Sequence, residues 1–116
     1  TPPLLLICVD RKAESFAHLA DSKVFVLNVL AEHQEELSRR FATSGGDKFT
    51  GVAYRLGHLG TPILEGTLGH VECRIVETHE AGDHVIHLGE VEAASGADGP
   101  PLVFFRGRYR RLTEPG

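Results

Sequence analysis

Cysteine, long apolar runs and excess positive charge are all scarce in this 116-residue sequence. Two cysteines, Cys8 and Cys73, are too few for a disulfide framework, so we expect free, buried thiols and a reducing, cytoplasmic setting. The longest apolar runs, 4–9 and 24–30, are much shorter than a membrane-spanning helix. The formal net charge of -4 argues against a protein that binds duplex DNA or RNA. What remains is the composition of an ordinary globular protein, and we expect one domain over residues 1–116.

Familiar catalytic and metal-binding motifs are also missing. The sequence has no glycine-rich phosphate loop of the P-loop or dinucleotide-fold type and no nucleophile elbow. His84 and His87 are three positions apart in an alternating stretch, a spacing that turns the two rings to opposite faces of a strand. We therefore expect no metal site. The other histidines are expected to be exposed and neutral: His18, His33, His58, His70 and His79.

The hydrophobic pattern predicts a mainly β protein with two short helices. Apolar and polar residues alternate through most of the second half, and Gly and Pro separate the alternating runs. A small barrel or sandwich is the architecture that such short strands favour. The predicted elements are a strand over 4–9 buried on both faces, helices over 13–20 and 31–41, and strands over 23–28, 69–79, 84–93, 102–105 and 108–112.

Gly82, Asp83 and His84 form the most informative stretch. A tight turn at Gly82 and Asp83 leads directly into an alternating strand, which places His84 on the rigid rim of a hairpin. A side chain held in this way can meet a ligand, although the stretch alone indicates only a hairpin.

The order of motifs along the chain resembles the flavin reductase family with the FMN-binding split barrel, which includes the reductase components of two-component flavin monooxygenases. No single motif is specific, but eight in order and at suitable spacing are. The matching residues are 2–10, 25–30, Gln34 with Leu37 and Phe41, 47–49, 60–64, 73–74, 82–84 with 89–91, and 101–105 with Gly107 and Tyr109.

The resemblance implies a Greek-key split β-barrel that binds FMN or FAD. Family members carry further strands before the Pro-Pro pair, and the opening Thr1 is not an initiator residue. We therefore expect the N-terminal part of the family domain, with some of its flavin contacts, to be absent from this chain. The resemblance also implies a homodimer.

The family implies flavin contacts from the turn that follows the first strand. This turn contains Asp10, Arg11, Lys12 and Ala13, and Ser15 is expected to replace a serine that many relatives have at the position of Ala13. A plain turn with solvated basic residues is the alternative. Further candidates are Lys48 and Phe49, which either clamp the flavin or anchor their own loop, and Tyr109, which either contacts cofactor or packs.

The implied activity is hydride transfer from NADH or NADPH to the flavin, with the reduced flavin passing to a separate monooxygenase. His84 is the candidate catalytic residue on the nicotinamide side. A flavin-binding electron carrier or sensor and a cofactor-less interaction module are the alternatives. Four arginines near the C-terminal end are open to two interpretations, a 2′-phosphate site or a solubility feature: Arg106, Arg108, Arg110 and Arg111.

Overall fold

The computed structural model describes residues 1–43 and 45–115, and most of this chain is antiparallel β-structure. A four-stranded sheet has the order β1-β6-β5-β2, and β3–β4 and β7–β8 form two smaller sheets. The elements are β1 (Leu4–Asp10), α1 (Ser15–Ser22), β2 (Val24–Val29), a 3₁₀ turn (Glu32–Gln34), α2 (Glu35–Ala42), β3 (Tyr54–Leu56), β4 (Pro62–Leu64), β5 (Gly69–Ala81), β6 (His84–Gly96), β7 (Val103–Phe105) and β8 (Arg108–Arg110). The predicted order of elements is confirmed, with β3 and β4 as additions.

The long hairpin of β5 and β6 is the centre of the fold. Its tip is a tight turn at Gly82, whose φ is +63°, and Ala81 pairs with His84 across the turn. Two β-bulges interrupt the ladder: Glu92 is an extra residue on β6 and Val76 is an extra residue on β5. Because the two extra residues lie on opposite strands, the pairing at both ends of the hairpin has the same register.

The core lies on the face of the sheet where β6 presents Val85. Phe25 pairs with Cys73, Val9 pairs with Val85, and all four side chains are buried. Gly89 lies beside this cluster, and the ring of Phe25 occupies the space that a side chain at Gly89 would need. The core therefore depends on a glycine in the middle of a strand, where glycine is otherwise unfavourable.

The prediction that the first strand is buried on both faces is wrong. Within the described residues β1 is an edge strand that pairs only with β6, and alternate side chains face outward. Leu4 and Leu6 are 52% and 53% exposed, and Cys8 is exposed as well, whereas Cys73 is the buried free thiol we expected.

The helix predicted over 31–41 is divided into the 3₁₀ turn and α2. The division falls at Gln34, whose backbone is not helical, with φ -102° and ψ +29°. Its Oε1 accepts from the amide of Ala31 at 2.8 Å, and its Nε2 donates to the carbonyl of Glu65 at 2.9 Å. Beyond it, Glu35 and Arg39, four positions apart on α2, form an ion pair at 2.9 Å. The Ser- and Gly-rich stretch 43–46 is typical of a turn or flexible loop, and Ser44 within it lies outside the described residues. Neither helix is long and apolar enough to cross a membrane.

Candidate functional site

The turn after β1 and the tip of the β5–β6 hairpin form one continuous rim. Asp10 is the cross-strand partner of His84. The amide of Arg11 donates to the carbonyl of Asp83 at 3.0 Å, and its Nε donates to the carbonyl of Gly82 at 3.3 Å. Two segments that are some seventy positions apart in sequence are thus brought together by strand pairing and by one arginine.

His84 is held by its neighbour at this rim. Its Nδ1 lies 2.8 Å from Oδ1 of Asp83, and about two fifths of its side chain is exposed. The hydrogen bond from His84, followed by the positive charge of the ring, holds the pKa of the Asp83 carboxyl below its ordinary value. Because a carboxylate can only accept, Nδ1 carries the hydrogen of this bond in either protonation state of the ring, and Nε2 is an acceptor whenever the ring is neutral.

The turn itself is closed by Asp10 and leads into α1. The Oδ1 of Asp10 accepts from the amide of Lys12 at 2.8 Å, and its carbonyl accepts from the amide of Ala13 at 2.9 Å. Glu14, at the N-cap position of α1, makes no capping hydrogen bond to the described part of the helix. Its carboxylate instead accepts from the amide of Gly45. In this first turn the amide of Phe16 donates to the carbonyl of Ala13 at 3.1 Å, so an anion at the start of α1 would use the amides on either side of it.

A cavity of about 390 Å³ opens between the start of α1 and the loop before β3. Four of the predicted flavin residues line it: Ala13, Ser15, Lys48 and Phe49. Its volume falls in the range of ligand pockets, which begins at roughly 300 Å³. The structure thus joins two motifs that the sequence could only name separately.

Lys48 and Phe49 also anchor their own loop. The Nζ of Lys48 donates to the carbonyls of Thr43 and Gly45. The ring of Phe49 packs against Phe41 and Tyr54, with centroids 5.2 and 5.0 Å apart. The pair therefore anchors its loop, and the anchored loop forms one wall of the cavity, whereas the contact with a flavin stays a prediction.

Five further residues that line this cavity were missed by the sequence interpretation: Glu14, His18, Phe41, Ala42 and Thr43. Two of them had a usable signal. His18 is three positions after Ser15 on a helix, a spacing that places both on one face. Phe41 follows Leu37 by four positions, a helical spacing that places both on one face. Nothing in the sequence indicated that Glu14 would reach across to Gly45.

Tyr109 is not part of this rim. Its hydroxyl donates to Oγ of Ser38 at 2.9 Å, and the guanidinium of Arg39 lies 4.9 Å from its ring centroid. It lines a second cleft, of about 550 Å³, between α2 and the β7–β8 hairpin. The two cavities meet at Ala42 and Thr43, which line both.

A larger cavity, of about 720 Å³, lies between α2 and residues 51–53. None of the predicted site residues lines it. Its polar side chains are a mixture of both charges, with Glu36, Arg39 and Arg40 among them. Volume alone therefore does not make this larger cavity the candidate site. The smaller cavity at α1 has hydrogen-bond donors for a phosphate and an aromatic side chain against which a flat ring can pack.

His87 lies on the opposite face of β6 from His84, as the spacing predicted. It is 3% exposed, its Nδ1 lies 2.8 Å from Oγ1 of Thr78, and burial lowers its pKa. Its Nε2 has no hydrogen-bond partner among the described residues. Among those same residues, no three His, Cys, Asp or Glu side chains cluster as metal ligands. The expectation that His70 is exposed is wrong, because it is buried beside Glu72.

Glu72 is the buried charge that the sequence did not reveal. It is 1% exposed, and its carboxylate accepts from the amides of His58 and Leu59 and from the hydroxyl of Thr61, at 3.1, 2.9 and 2.8 Å. Burial raises the pKa of the Glu72 carboxyl, but the three hydrogen bonds together outweigh burial, and the pKa is lowered. The side chain therefore fixes the β3–β4 connection as an anion.

Comparison with known proteins gives a consistent result. Residues 1–113 match the family described as flavin reductase like domain. A reductase subunit of a flavin-dependent monooxygenase from Mycobacterium tuberculosis is 39% identical over 111 residues, which are 93% of this chain and 59% of that protein. The chain thus spans about three fifths of the length of the curated relatives it matches.

Two solved structures share the fold. A nitrilotriacetate monooxygenase component B homologue from Mycobacterium thermoresistibile superposes with a TM-score of 0.91 at 34% identity, over 99% of this chain and 68% of that one. An NADH:FAD oxidoreductase from Streptomyces globisporus gives a TM-score of 0.88 at 39% identity, over 97% and 70%. The prediction of a mainly β, split-barrel architecture is confirmed.

Proposed function

The chain belongs to the flavin reductase-like domain family, and we propose that its protein is an NAD(P)H:flavin oxidoreductase. The observation that carries the proposal is the meeting of Asp10 and His84 at one rim, next to the cavity at the start of α1. The names of its relatives, a monooxygenase reductase subunit and an NADH:FAD oxidoreductase, support the same activity.

The residues around the cavity fit a flavin phosphate and ring. The amide and hydroxyl of Ser15 are donors for a phosphate, and Arg11 and Lys12 add positive charge to the turn. Ala13 contributes no hydroxyl, so Ser15 supplies it. Phe49, held by Phe41, offers an aromatic wall. The Glu14 carboxylate would oppose an anion, but the amide of Gly45 engages it.

His84 acts as an orienting group on the nicotinamide side. Asp83 fixes its tautomer, so Nε2 can accept a hydrogen bond from the carboxamide of a reduced nicotinamide. A bound flavin would supply the hydride acceptor, and the protein contributes orientation and electrostatics. His84 therefore orients the nicotinamide ring and does not itself transfer a proton.

The partners and location of the protein follow as part of the same proposal. We propose that the reduced flavin, FMN or FAD, serves a separate monooxygenase, and that the protein forms a homodimer with one split-barrel domain per chain. Monooxygenase reductase components among its relatives support the first point. The free thiols of Cys8 and Cys73 favour a reducing compartment, and we propose the cytoplasm.

Replacing Ser15 by aspartate is expected to separate phosphate binding from ring binding. A carboxylate at the first residue of α1 stabilises the helix but repels the flavin phosphate. FMN should bind the full-length Ser15→Asp protein about tenfold or more weakly than wild type. Riboflavin, which has no phosphate, should bind both proteins equally. Fluorescence titration of both flavins measures this. Equal weakening of riboflavin, or unchanged FMN binding, would place the phosphate elsewhere.

Replacing His84 by alanine is expected to reduce the rate of flavin reduction without weakening flavin binding. Loss of the carboxamide contact misplaces the nicotinamide and lowers kcat/KM for NADH by about a hundredfold. Anaerobic stopped-flow bleaching of the flavin measures the rate. His79→Ala is the matched control, because His79 is exposed on the same hairpin and its ring lies 3.5 Å from the carboxylate of Glu77.

Two outcomes would contradict this account of the activity. Equal rates for His84→Ala and His79→Ala would remove the role of His84. A wild-type protein that binds flavin but is reduced by neither NADH nor NADPH would be an electron carrier or sensor.

A further inference from the structure

The C-terminal hairpin concentrates positive charge in an otherwise acidic protein. Residues 99–113 contain four of the twelve Lys and Arg residues and no carboxylate, whereas the whole chain has a formal net charge of -4. Solubility does not require this segregation, since mixed charges serve it as well. The positive charge therefore suggests an anionic ligand.

The turn of this hairpin contains a residue that turn geometry disfavours. Arg106 and Gly107 both have positive φ, +53° and +75°. That turn favours Asn followed by Gly, because a long side chain at positive φ is strained. Strain of this kind is commonly kept where a side chain has a task. Here the guanidinium of Arg106 lies 5.4 Å from the ring centroid of Phe105.

The cleft between this hairpin and α2 has aromatic and cationic walls. Arg39 and Tyr109 form one wall, fixed by the stacking of the guanidinium on the ring and by the bond from Tyr109 to Ser38. Phe104 lies edge-on to Tyr109 at 5.1 Å and is 62% exposed. Arg108 also lines the cleft, and the carboxylate of Glu35, which lines it too, is paired with Arg39 at 2.9 Å.

We propose that this cleft binds the adenosine phosphate part of a dinucleotide, with the purine against Phe104 and the phosphate at Arg39 and Arg108. Arginine and exposed aromatic rings together recognise the two halves of such a group, a charged phosphate and a flat ring. The cleft meets the flavin cavity at Ala42 and Thr43, so one extended dinucleotide can occupy both. The inference rests on the proposed function for the presence of a dinucleotide.

Direct binding measurements on the full-length protein test the cleft without any turnover. Calorimetry with 5′-AMP, adenosine 2′,5′-bisphosphate and inorganic pyrophosphate distinguishes ring from phosphate recognition. Arg108→Gln is expected to weaken all three by about tenfold. Phe104→Leu is expected to weaken only the two adenosine ligands, again by about tenfold. Arg111→Gln removes the same charge from the same C-terminal segment at a residue that does not line the cleft, and it is the control, with a change of about twofold or less.

Two further measurements identify which dinucleotide, NAD(P)H or FAD, places its adenosine phosphate in the cleft. A rise in KM for NADH or NADPH in Arg108→Gln, with the FAD to FMN affinity ratio unchanged, identifies the nicotinamide nucleotide. A fall in the FAD to FMN affinity ratio identifies the adenosine half of FAD. Either result supports the proposal.

Three results would overturn it. Equal effects of Arg108→Gln and Arg111→Gln on affinity would mean that the positive charge of the whole segment attracts phosphate and that no specific site binds it. Absence of adenosine phosphate binding to wild type would reject the site directly. Dissociation of a dimer by Phe104→Leu with unchanged nucleotide affinity would identify the cleft as an interface between copies. A protein that binds adenosine phosphate here but reduces no flavin would contradict only the proposed function.

Discussion

Replacing Gly89 by alanine is expected to lower the free energy of unfolding by about 3 kcal/mol. A Cβ atom at this position would lie 2.6 Å from Cβ of Cys73 and 2.7 Å from Cε1 of Phe25. Both neighbours are buried, and neither contact is with the end of a flexible side chain, so the sheet or the Phe25 ring must move. The gain that alanine usually brings by restricting the unfolded chain is smaller than this cost.

Urea denaturation measures the effect, and the same strand offers a control. At Gly96 the nearest atom to a new Cβ is the carbonyl oxygen of Leu68, 3.9 Å away, so Gly96→Ala is expected to change stability by less than about 1 kcal/mol. Adding Phe25→Leu to Gly89→Ala should recover part of the loss, because it frees the space that the new methyl group needs. Equal stabilities for the two alanine variants would show that the core is not tightly packed at Gly89.

Replacing Glu72 by glutamine is expected to cost about 3 kcal/mol, although the two side chains have nearly the same shape. The carboxylate has three donors, and the amide nitrogen of glutamine would face at least one of them. A buried donor would then lose its partner. Chemical denaturation again gives the free energy of unfolding. Glu92→Gln, which removes a surface partner of Arg74, is the control and should change it by less than about 1 kcal/mol.

The same substitution predicts a pH dependence with a definite sign. The folded-state pKa of Glu72 is below the ordinary value, so ionisation favours the folded state. Its contribution is complete above the unfolded pKa, about 4.3, and is lost as the pH falls through the folded pKa. The stability difference between wild type and Glu72→Gln should therefore be constant near neutral pH and shrink in acid. A difference that grows in acid would mean that Glu72 is protonated in the folded protein.

The order of the elements could be predicted from sequence, because alternation and Gly or Pro punctuation are local signals. The pairing of β1 with β6 could not, since it joins residues far apart in the chain. The three-residue strands β3 and β4 were missed because a run of that length has no readable period. Edge or centre position is also not a local property, which is why the burial predicted for β1 was wrong.

The candidate site shows the same division. Each predicted segment could be named from the resemblance, but only the fold shows that Ala13 and Lys48 line one cavity while Tyr109 lies in another. The burial of Glu72 was not predicted, because a charged residue in an alternating strand normally lies on the solvent face. The stabilising role of Glu72, the orienting role of His84 and the phosphate-binding role of Ser15 are predictions that the variants test.

The two bulges of the β5–β6 hairpin also determine where this protein can change length during evolution. Loss of Val76 or Glu92 would remove an unpaired residue and leave the cross-strand partners on both sides unchanged. Loss of a paired residue near the tip, such as Glu80, would instead turn its neighbours to the wrong face of the sheet. Single-residue gaps among descendants of this sequence are therefore expected at the two bulges. The number of residues between Glu77, the first paired residue after the β5 bulge, and His84 is expected to stay fixed.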